Sequence, residues 1–223
     1  MEGVSGGVWV MIGVGVTVGW WAGRFLPVAG GWLFQERMIR PAEYRWGKKW
    51  GSIGLSLGGA SVVWLAKDVA EALLALALLL FLLMVVWTDC MRGIIPNRLN
   101  GIGAVVFILL QGVRGEAWVP LLVASVAGMC LLGLVSLLSG GGMGGGDVKM
   151  AAAAGWALGW PALGAGLGLA IISGGLTALW LWMSRRVEGK TPVPFGPHLA
   201  IGFFVAFWYG EELTGWYLSL VNE

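Results

Sequence analysis

Long apolar runs, seldom interrupted by charge, constrain this 223-residue chain more than any other feature. Charged residues make up 12% of the sequence, about half the share that is usual in a soluble domain. Hydrophobic residues make up 58%, and the mean hydropathy is +0.82. A soluble fold would leave much of this apolar surface in water, so lipid is the solvent for most of the chain. The composition excludes a soluble globular enzyme, a disordered protein and a nucleic-acid-binding protein.

Eight apolar segments are predicted to cross the membrane as helices, since each span needs about 20 apolar residues. They are Val8–Leu26, Ile53–Ala66, Val69–Trp87, Leu99–Val113, Val119–Leu138, two helices within Val148–Met183 that meet at Gly159–Trp160–Pro161, and a last helix from about His198. The prediction is an all-α polytopic membrane protein with one domain over residues 1–223. Residues 1–50 supply the first helix, interpreted as retained, and a short basic loop; residues 51–223 supply the other helices.

The basic residues predict the orientation of these helices. With the N-terminus outside, the cytoplasmic side receives eleven of them: Arg37, Arg40, Arg45, Lys48, Lys49, Arg92, Arg98, Lys149, Arg185, Arg186 and Lys190. The outer side receives only Lys67 and Arg114, with Arg24 near the end of the first span. Because basic loops stay in the cytoplasm, this asymmetry predicts an outside N-terminus.

Cysteine and histidine are too few for most metal or nucleophile chemistry. The chain has two cysteines, Cys90 and Cys130, without a CxxC pair, and one histidine, His198. A tetrahedral zinc site needs three or four such ligands, so no protein-held zinc is expected. His198 follows a Pro-rich turn and is interpreted as structural, which leaves acid–base chemistry to the carboxylates.

Two aspartates stand at predicted helix ends. Asp89 follows the third apolar helix, in the loop Thr88–Arg98, and Asp147 opens the sixth helix after the Gly140–Gly146 run. Taken singly, each is explained as a helix terminator or cap. The predicted topology, however, puts both at the cytoplasmic membrane boundary, where ionisable groups are costly and mark functional sites. If the two turns face each other, the carboxyls share one proton and can hydrolyse a peptide by general acid–base catalysis.

Three segments resemble the motifs of the type IV prepilin peptidases, membrane aspartic proteases with a Gly-x-Gly-Asp signature. Asp89–Asn97 (DCMRGIIPN) resembles the first motif, Gly142–Lys149 (GMGGGDVK) the second, and Thr191–Gly202 (TPVPFGPHLAIG) the third. They occur in the family's order and span roughly Leu82–Gly202, more than half of the chain.

The resemblance implies that Asp89 and Asp147 are the catalytic pair of a membrane aspartic endopeptidase. The supporting active-site loops are then Gly144, Gly145, Gly146, Lys149, Pro96 and Asn97, and a substrate or methyl-donor region is Gly23, Phe25, Pro194, Phe195, Gly196 and Pro197. The implied substrates are prepilin or pseudopilin precursors, cleaved after their basic leader at the cytoplasmic face of the bacterial inner membrane. The implied partners are these precursors and the lipid bilayer, with no nucleic acid; the oligomeric state stays open.

The chain departs from the fuller family pattern after its first helix. Many bacterial members carry a long loop there with two zinc-binding CxxC pairs, and they methylate the new N-terminus with S-adenosylmethionine. Here the loop Gln35–Trp50 contains no Cys, and Arg24 stands where the family usually has Ser. We therefore expect no zinc and a peptidase that needs no cofactor, while methyltransferase activity and S-adenosylmethionine binding stay open.

Two alternatives stay open beside the prepilin peptidase. One is a related Gly-x-Gly-Asp protease that acts on archaellin-like precursors or signal peptides. The other is a non-enzymatic transporter, channel or assembly subunit, in which glycines serve close helix packing. A transporter more often buries charge in mid-membrane, and charge within the predicted spans is nearly absent here. The Ile-Pro-Asn and Pro-Phe-Gly-Pro turns favour the prepilin type.

Overall fold

The computed structural model describes residues 58–62, 64–140, 142–184 and 194–221. Over these ranges the chain is helical, with turns between helices and no β-strand. Residues 58–62 and 64–65 are helical, and six helices follow: α1 (Val69–Arg92), α2 (Asn97–Arg114), α3 (Trp118–Leu138), α4 (Gly145–Leu158), α5 (Ala162–Met183) and α6 (Gly196–Val221). The first predicted span, Val8–Leu26, and the loop Gln35–Trp50 lie outside the described residues.

Three of the described helices, α1, α3 and α5, are long and apolar enough to cross a membrane. Many large apolar side chains on them face outward, as expected where lipid replaces water; Leu137 is 80% exposed and Ile172 62%. The predicted class, an all-α membrane protein, is therefore confirmed. Helix α4 has only 14 residues, which gives a length of about 21 Å, so it is shorter than one bilayer span.

Local capping signals explain where α1 begins and ends. Lys67 and Asp68 interrupt the apolar sequence as predicted, and the Asp68 carboxylate accepts a hydrogen bond from the Glu71 backbone at 2.7 Å. At the other end Gly93 adopts a left-handed conformation (φ 66°) that stops the helix. The loop predicted at Thr88–Arg98 is therefore wrong for residues 88–92, which continue α1, because no residue between Trp87 and Gly93 breaks a helix. Asp89 lies in the last turns of α1.

The later helices end close to their predicted positions. Helices α4 and α5 are separated at Gly159–Trp160–Pro161, as the sequence predicted, and Gly159 takes a positive φ of 67°. The last helix begins at Gly196, two residues before the predicted start. The sequence leaves two placements for 211–223, an extension of the last helix or the outer membrane interface, and favours the interface. The structure continues α6 through Val221, so residues 211–221 extend the helix.

Glycines bring the helices into two close pairs, α5 with α6 and α3 with α4. A Cβ on Gly202 would strike the carbonyl oxygen of Gly166, and one on Gly155 would strike the Ser125 backbone. Helix α1 packs between α2 and α6, with an edge-to-face contact of Phe81 on Phe107. Helix α4 lies against α2 and α3 and also contacts α1, α5 and α6, so its first turn faces the bundle interior.

Candidate active site

Asp89 projects from the last turns of α1 into the bundle and is 7% exposed. Its Oδ2 accepts a hydrogen bond from the Gly196 backbone N–H at 2.8 Å. That donor lies 107 residues away in the sequence and is the first residue of α6. The N-terminus of α6 is therefore directed at the Asp89 carboxylate, where the unpaired N–H groups of a helix stabilise negative charge.

Asp147 lies in the first turn of α4 and is 8% exposed. Its carboxylate accepts a hydrogen bond from the backbone of Gly144, the residue that precedes α4. Its Oδ1 is buried and has no hydrogen-bond partner among the described residues. The charge of Asp89 acts on Asp147, so the two predicted carboxyls lie within electrostatic range of each other near the contact of α1 with α4.

Ionising both aspartates at once is unfavourable, because they are buried and their negative charges repel each other. Burial, and secondly the charge of Asp89, raise the pKa of Asp147 from 3.8 to about 6, although the Gly144 N–H opposes the change. Asp147 precedes the apolar part of α4, outside the three helices that are long enough to span. A carboxyl with this pKa can be protonated beside an ionised partner near neutral pH, which is the state that acid–base hydrolysis needs.

The glycines before Asp147 allow a close approach to the turn that follows α1. Gly146 lies against Ile95: a Cβ on Gly146 would come within 3.0 Å of the Ile95 Cβ and 3.2 Å of its carbonyl oxygen. Pro96 precedes α2 and directs the helix back along α1. A Cβ on Gly144 would lie 3.3 Å from Asp147 Oδ2, whereas Gly145 has open space around it. The structure thus brings the first two motifs together.

A side-chain bond also joins these motifs. Lys149 Nζ donates to Asn97 Oδ1 at 2.8 Å, across 52 residues of sequence. A lysine near the start of a helix gains nothing from the helix dipole, and this contact gives it a local partner. Both residues were predicted to support the site; the structure joins them to each other, and their supporting role stays a prediction.

Within the described residues of the third motif, Gly196 is the one that contacts an aspartate of the site. Phe195 turns away toward α5, where a Cβ on Gly174 would lie 2.9 Å from its ring. Pro194 is exposed and Pro197 half-buried. Gly23 and Phe25, the other members of the predicted substrate or methyl-donor region, lie outside the described residues.

Sequence reasoning missed two features of the site. Asn100 is 4% exposed, and its Nδ2 donates to the Gly146 carbonyl at 3.1 Å. The sequence offers only a weak signal for it, an amide one turn after Pro96 at the start of an apolar helix, and no motif. The direct bond from Gly196 to Asp89 was also missed, because only the tertiary fold brings α6 to the end of α1.

Within the described part of the chain, the two cysteines and the histidine make no hydrogen bond to either carboxylate. Cys90 and Cys130 are exposed and free, and His198 Nδ1 lies 3.3 Å from Ser173 Oγ on α5. Among the described residues, no three His, Cys, Asp or Glu side chains are grouped to hold a metal. The expectation of a zinc-free peptidase stays a prediction.

Asp147→Asn is expected to stabilise the protein at neutral pH. The folded-state pKa of Asp147 lies above its ordinary value, so its contribution to stability is fully present below about pH 4 and is lost as the pH rises through about 6. The loss amounts to about 3 kcal/mol at pH 7.5, and the neutral amide avoids it. Thermal unfolding in detergent at pH 4 and pH 7.5 measures this. A difference between wild type and variant that does not grow with pH would contradict it.

The fold and these contacts define a helical membrane protein with two buried, interacting aspartates where helix ends meet. Residues 76–181 match the sequence model of the type IV leader peptidase family. The matched segment, just under half of the chain, carries both aspartates. No solved structure matches the chain significantly.

Several curated proteins named prepilin leader peptidase/N-methyltransferase are similar to this chain. The protein of Aeromonas salmonicida (strain A449) is 35% identical over 160 residues, which cover 67% of this chain and 53% of that protein. The protein of Pseudomonas putida is 32% identical over 180 residues, 76% of this chain and 61% of that protein. The protein of Bacillus subtilis (strain 168) is 29% identical over 152 residues, 66% and 59% respectively. The chain thus spans little more than half the length of these relatives.

Proposed function

We propose that the chain is a membrane aspartic endopeptidase that removes the basic leader from type IV prepilins or pseudopilins. The observation that carries this proposal is the meeting of Asp89 and Asp147, two buried carboxyls from separate helix ends, in a chain related to prepilin leader peptidases. The names of the similar proteins support the substrate class.

In the proposed mechanism the pair holds one proton. The ionised carboxylate takes a proton from water as this attacks the scissile carbonyl, and the protonated carboxyl gives its proton to the carbonyl oxygen. The Gly196 N–H stabilises negative charge on Asp89, which favours Asp89 as the base. The raised pKa of Asp147 favours it as the acid. Breakdown of the tetrahedral intermediate then returns a proton to the leaving amine.

The proposed setting is the bacterial inner membrane, with about eight spans, an outside N-terminus and the site at the cytoplasmic face. The distribution of basic residues supports this orientation. Both aspartates lie at the same end of the bundle, since α1 ends there and α4 and α6 begin there. A precursor whose basic leader stays in the cytoplasm and whose apolar helix enters the bilayer can present its cleavage point at this level.

Cleavage and methylation are tested in one experiment. The protein purified in detergent is incubated with a prepilin peptide and S-adenosylmethionine, and the products are weighed by mass spectrometry. We expect a product that has lost the basic leader, cut before the apolar segment; an added methyl group would show that the second activity of the similar proteins is retained. The proposed function would be contradicted if the purified wild-type protein left the peptide intact under conditions in which a control prepilin peptidase cuts it.

Chelators are expected to leave the cleavage rate unchanged. The acid and the base are both carboxyls, and the two cysteines and one histidine of the chain give no zinc ligand set. The rate is measured with and without EDTA, followed by added zinc. A loss with EDTA that zinc restores would overturn the metal-free mechanism.

A further inference from the structure

Two buried amide side chains on α2 bind α4. Asn100 Nδ2 donates to the Gly146 carbonyl at 3.1 Å, and Gln111 Nε2 donates to the Ala157 carbonyl at 3.0 Å. Both amides are 4% exposed. The two donors are eleven residues apart on α2, and the two acceptors are eleven residues apart on α4. Eleven residues make about three helical turns, so each helix presents both of its groups on one face.

The equal spacing has a geometric consequence. Residue numbers rise together along the two helices, so α2 and α4 run parallel, with both bonds in register over about 16 Å. A slip of α4 by one residue would move it about 1.5 Å and rotate it by about 100°. Such a slip would break both bonds and leave two buried amides unpaired, which is strongly unfavourable. The two amides therefore fix the register of α4 on α2.

The two bonds differ in what lies beside them. The Gly146 carbonyl belongs to the peptide group that leads into Asp147, whereas Ala157 lies at the opposite end of α4. The amide oxygen of Gln111 also has a partner within α2, since Oε1 accepts a hydrogen bond from Arg114 at 3.1 Å. The Asn100 Oδ1 has no hydrogen-bond partner among the described residues, and the same is true of Asp147 Oδ1. Asn100 thus borders the carboxyl pair, and Gln111 does not.

We propose that Asn100 is a positioning residue of this peptidase: its bond to the Gly146 carbonyl sets where the Asp147 carboxyl stands relative to Asp89. The inference rests on the proposed function. Gln111 makes the same type of bond at the far end of α4, where it serves the stability of the helix pair alone. Asn100 acts through Asp147 and needs no contact with the substrate.

Gln111 provides a matched control for a test in the full-length protein. Asn100→Leu and Gln111→Leu each remove one amide bond to α4 at an equally buried position. Thermal unfolding and the steady-state cleavage of a prepilin peptide are measured for both variants. We expect a lower unfolding temperature in both variants, a kcat about 10²-fold lower in Asn100→Leu with little change in KM, and a kcat within about threefold of wild type in Gln111→Leu.

Asn100→Asp tests the same role if Asn100→Leu does not fold. This isosteric change puts a third carboxyl beside Asp147, while Asp89 on α1 and Lys149 on α4 are unchanged. Because a nearby negative charge favours the protonated acid, the alkaline limb of the kcat/KM profile is expected at higher pH than in wild type. Equal kcat losses in the two leucine variants, or an unmoved profile in Asn100→Asp, would overturn the inference. A wild-type protein without cleavage activity would instead contradict the proposed function itself.

Discussion

Asp89→Asn and Asp147→Asn are each expected to lower the rate of prepilin cleavage by about 10³-fold or more. An amide can neither take a proton from water nor give one to the carbonyl oxygen, so either change removes one half of the proposed acid–base pair. Both side chains are buried, and an isosteric amide fits the same space. Membrane insertion and helix content should therefore be unchanged. Initial rates of the purified variants, followed by mass spectrometry, measure the effect.

Asp68→Asn provides the control for the loss of one negative charge from the same helix. Asp68 is exposed at the opposite end of α1, where its Oδ1 accepts from the Glu71 N–H. Asparagine caps a helix about as well as aspartate, so this variant should cleave within about twofold of the wild-type rate. The dyad assignment is wrong if Asp89→Asn or Asp147→Asn is as active as Asp68→Asn.

Gly196→Ala is expected to lower kcat by about 10²-fold. A Cβ at this position would come within 2.7 Å of Asp89 Oδ2 and 3.0 Å of its Cγ, so the carboxylate has to rotate away. That rotation breaks the 2.8 Å bond from the Gly196 N–H and displaces the proposed base from Asp147. Steady-state kinetics on the prepilin peptide should show the loss mainly in kcat, because Gly196 is buried and the added methyl group acts on the proposed base.

Gly215→Ala serves as the control for the added methyl group. Gly215 lies on the same helix, α6, with open space around its Cα, so alanine there adds helix propensity and no contact. We expect wild-type cleavage from this variant. Wild-type kcat in Gly196→Ala would show that the contact between α6 and Asp89 has no part in catalysis.

Much of the fold follows from local sequence. The long apolar runs of α1, α3 and α5 predict membrane helices, and the interruptions at Lys67–Asp68 and Gly159–Trp160–Pro161 predict where helices stop. These features need only helix length, hydropathy and capping chemistry, which act over a few residues. Asp89 and Asp147 could be selected as candidates for a related reason, because charged residues are rare in this chain and an acid at the end of an apolar helix is easily recognised.

Other features could not be predicted from neighbouring residues. Asp89 was expected in a loop, although the helix continues past it until Gly93 permits a left-handed turn. Asn100 has no sequence motif that distinguishes it from any amide at a helix start. Its role depends on the Gly146 carbonyl, which lies 46 residues further along the chain.

The sequence by itself determined the solvent of this protein, most of its helix ends and the two acids that we propose as the catalytic pair. Hydrophobic length and capping are local, and charge is costly in lipid wherever it occurs. Only the tertiary structure decided which groups lie at these acids: Gly196 donates to Asp89, and Asn100 donates to the carbonyl of Gly146, the residue before Asp147. Such contacts depend on helix register and crossing, which are set by side-chain packing between distant segments and have no local signature.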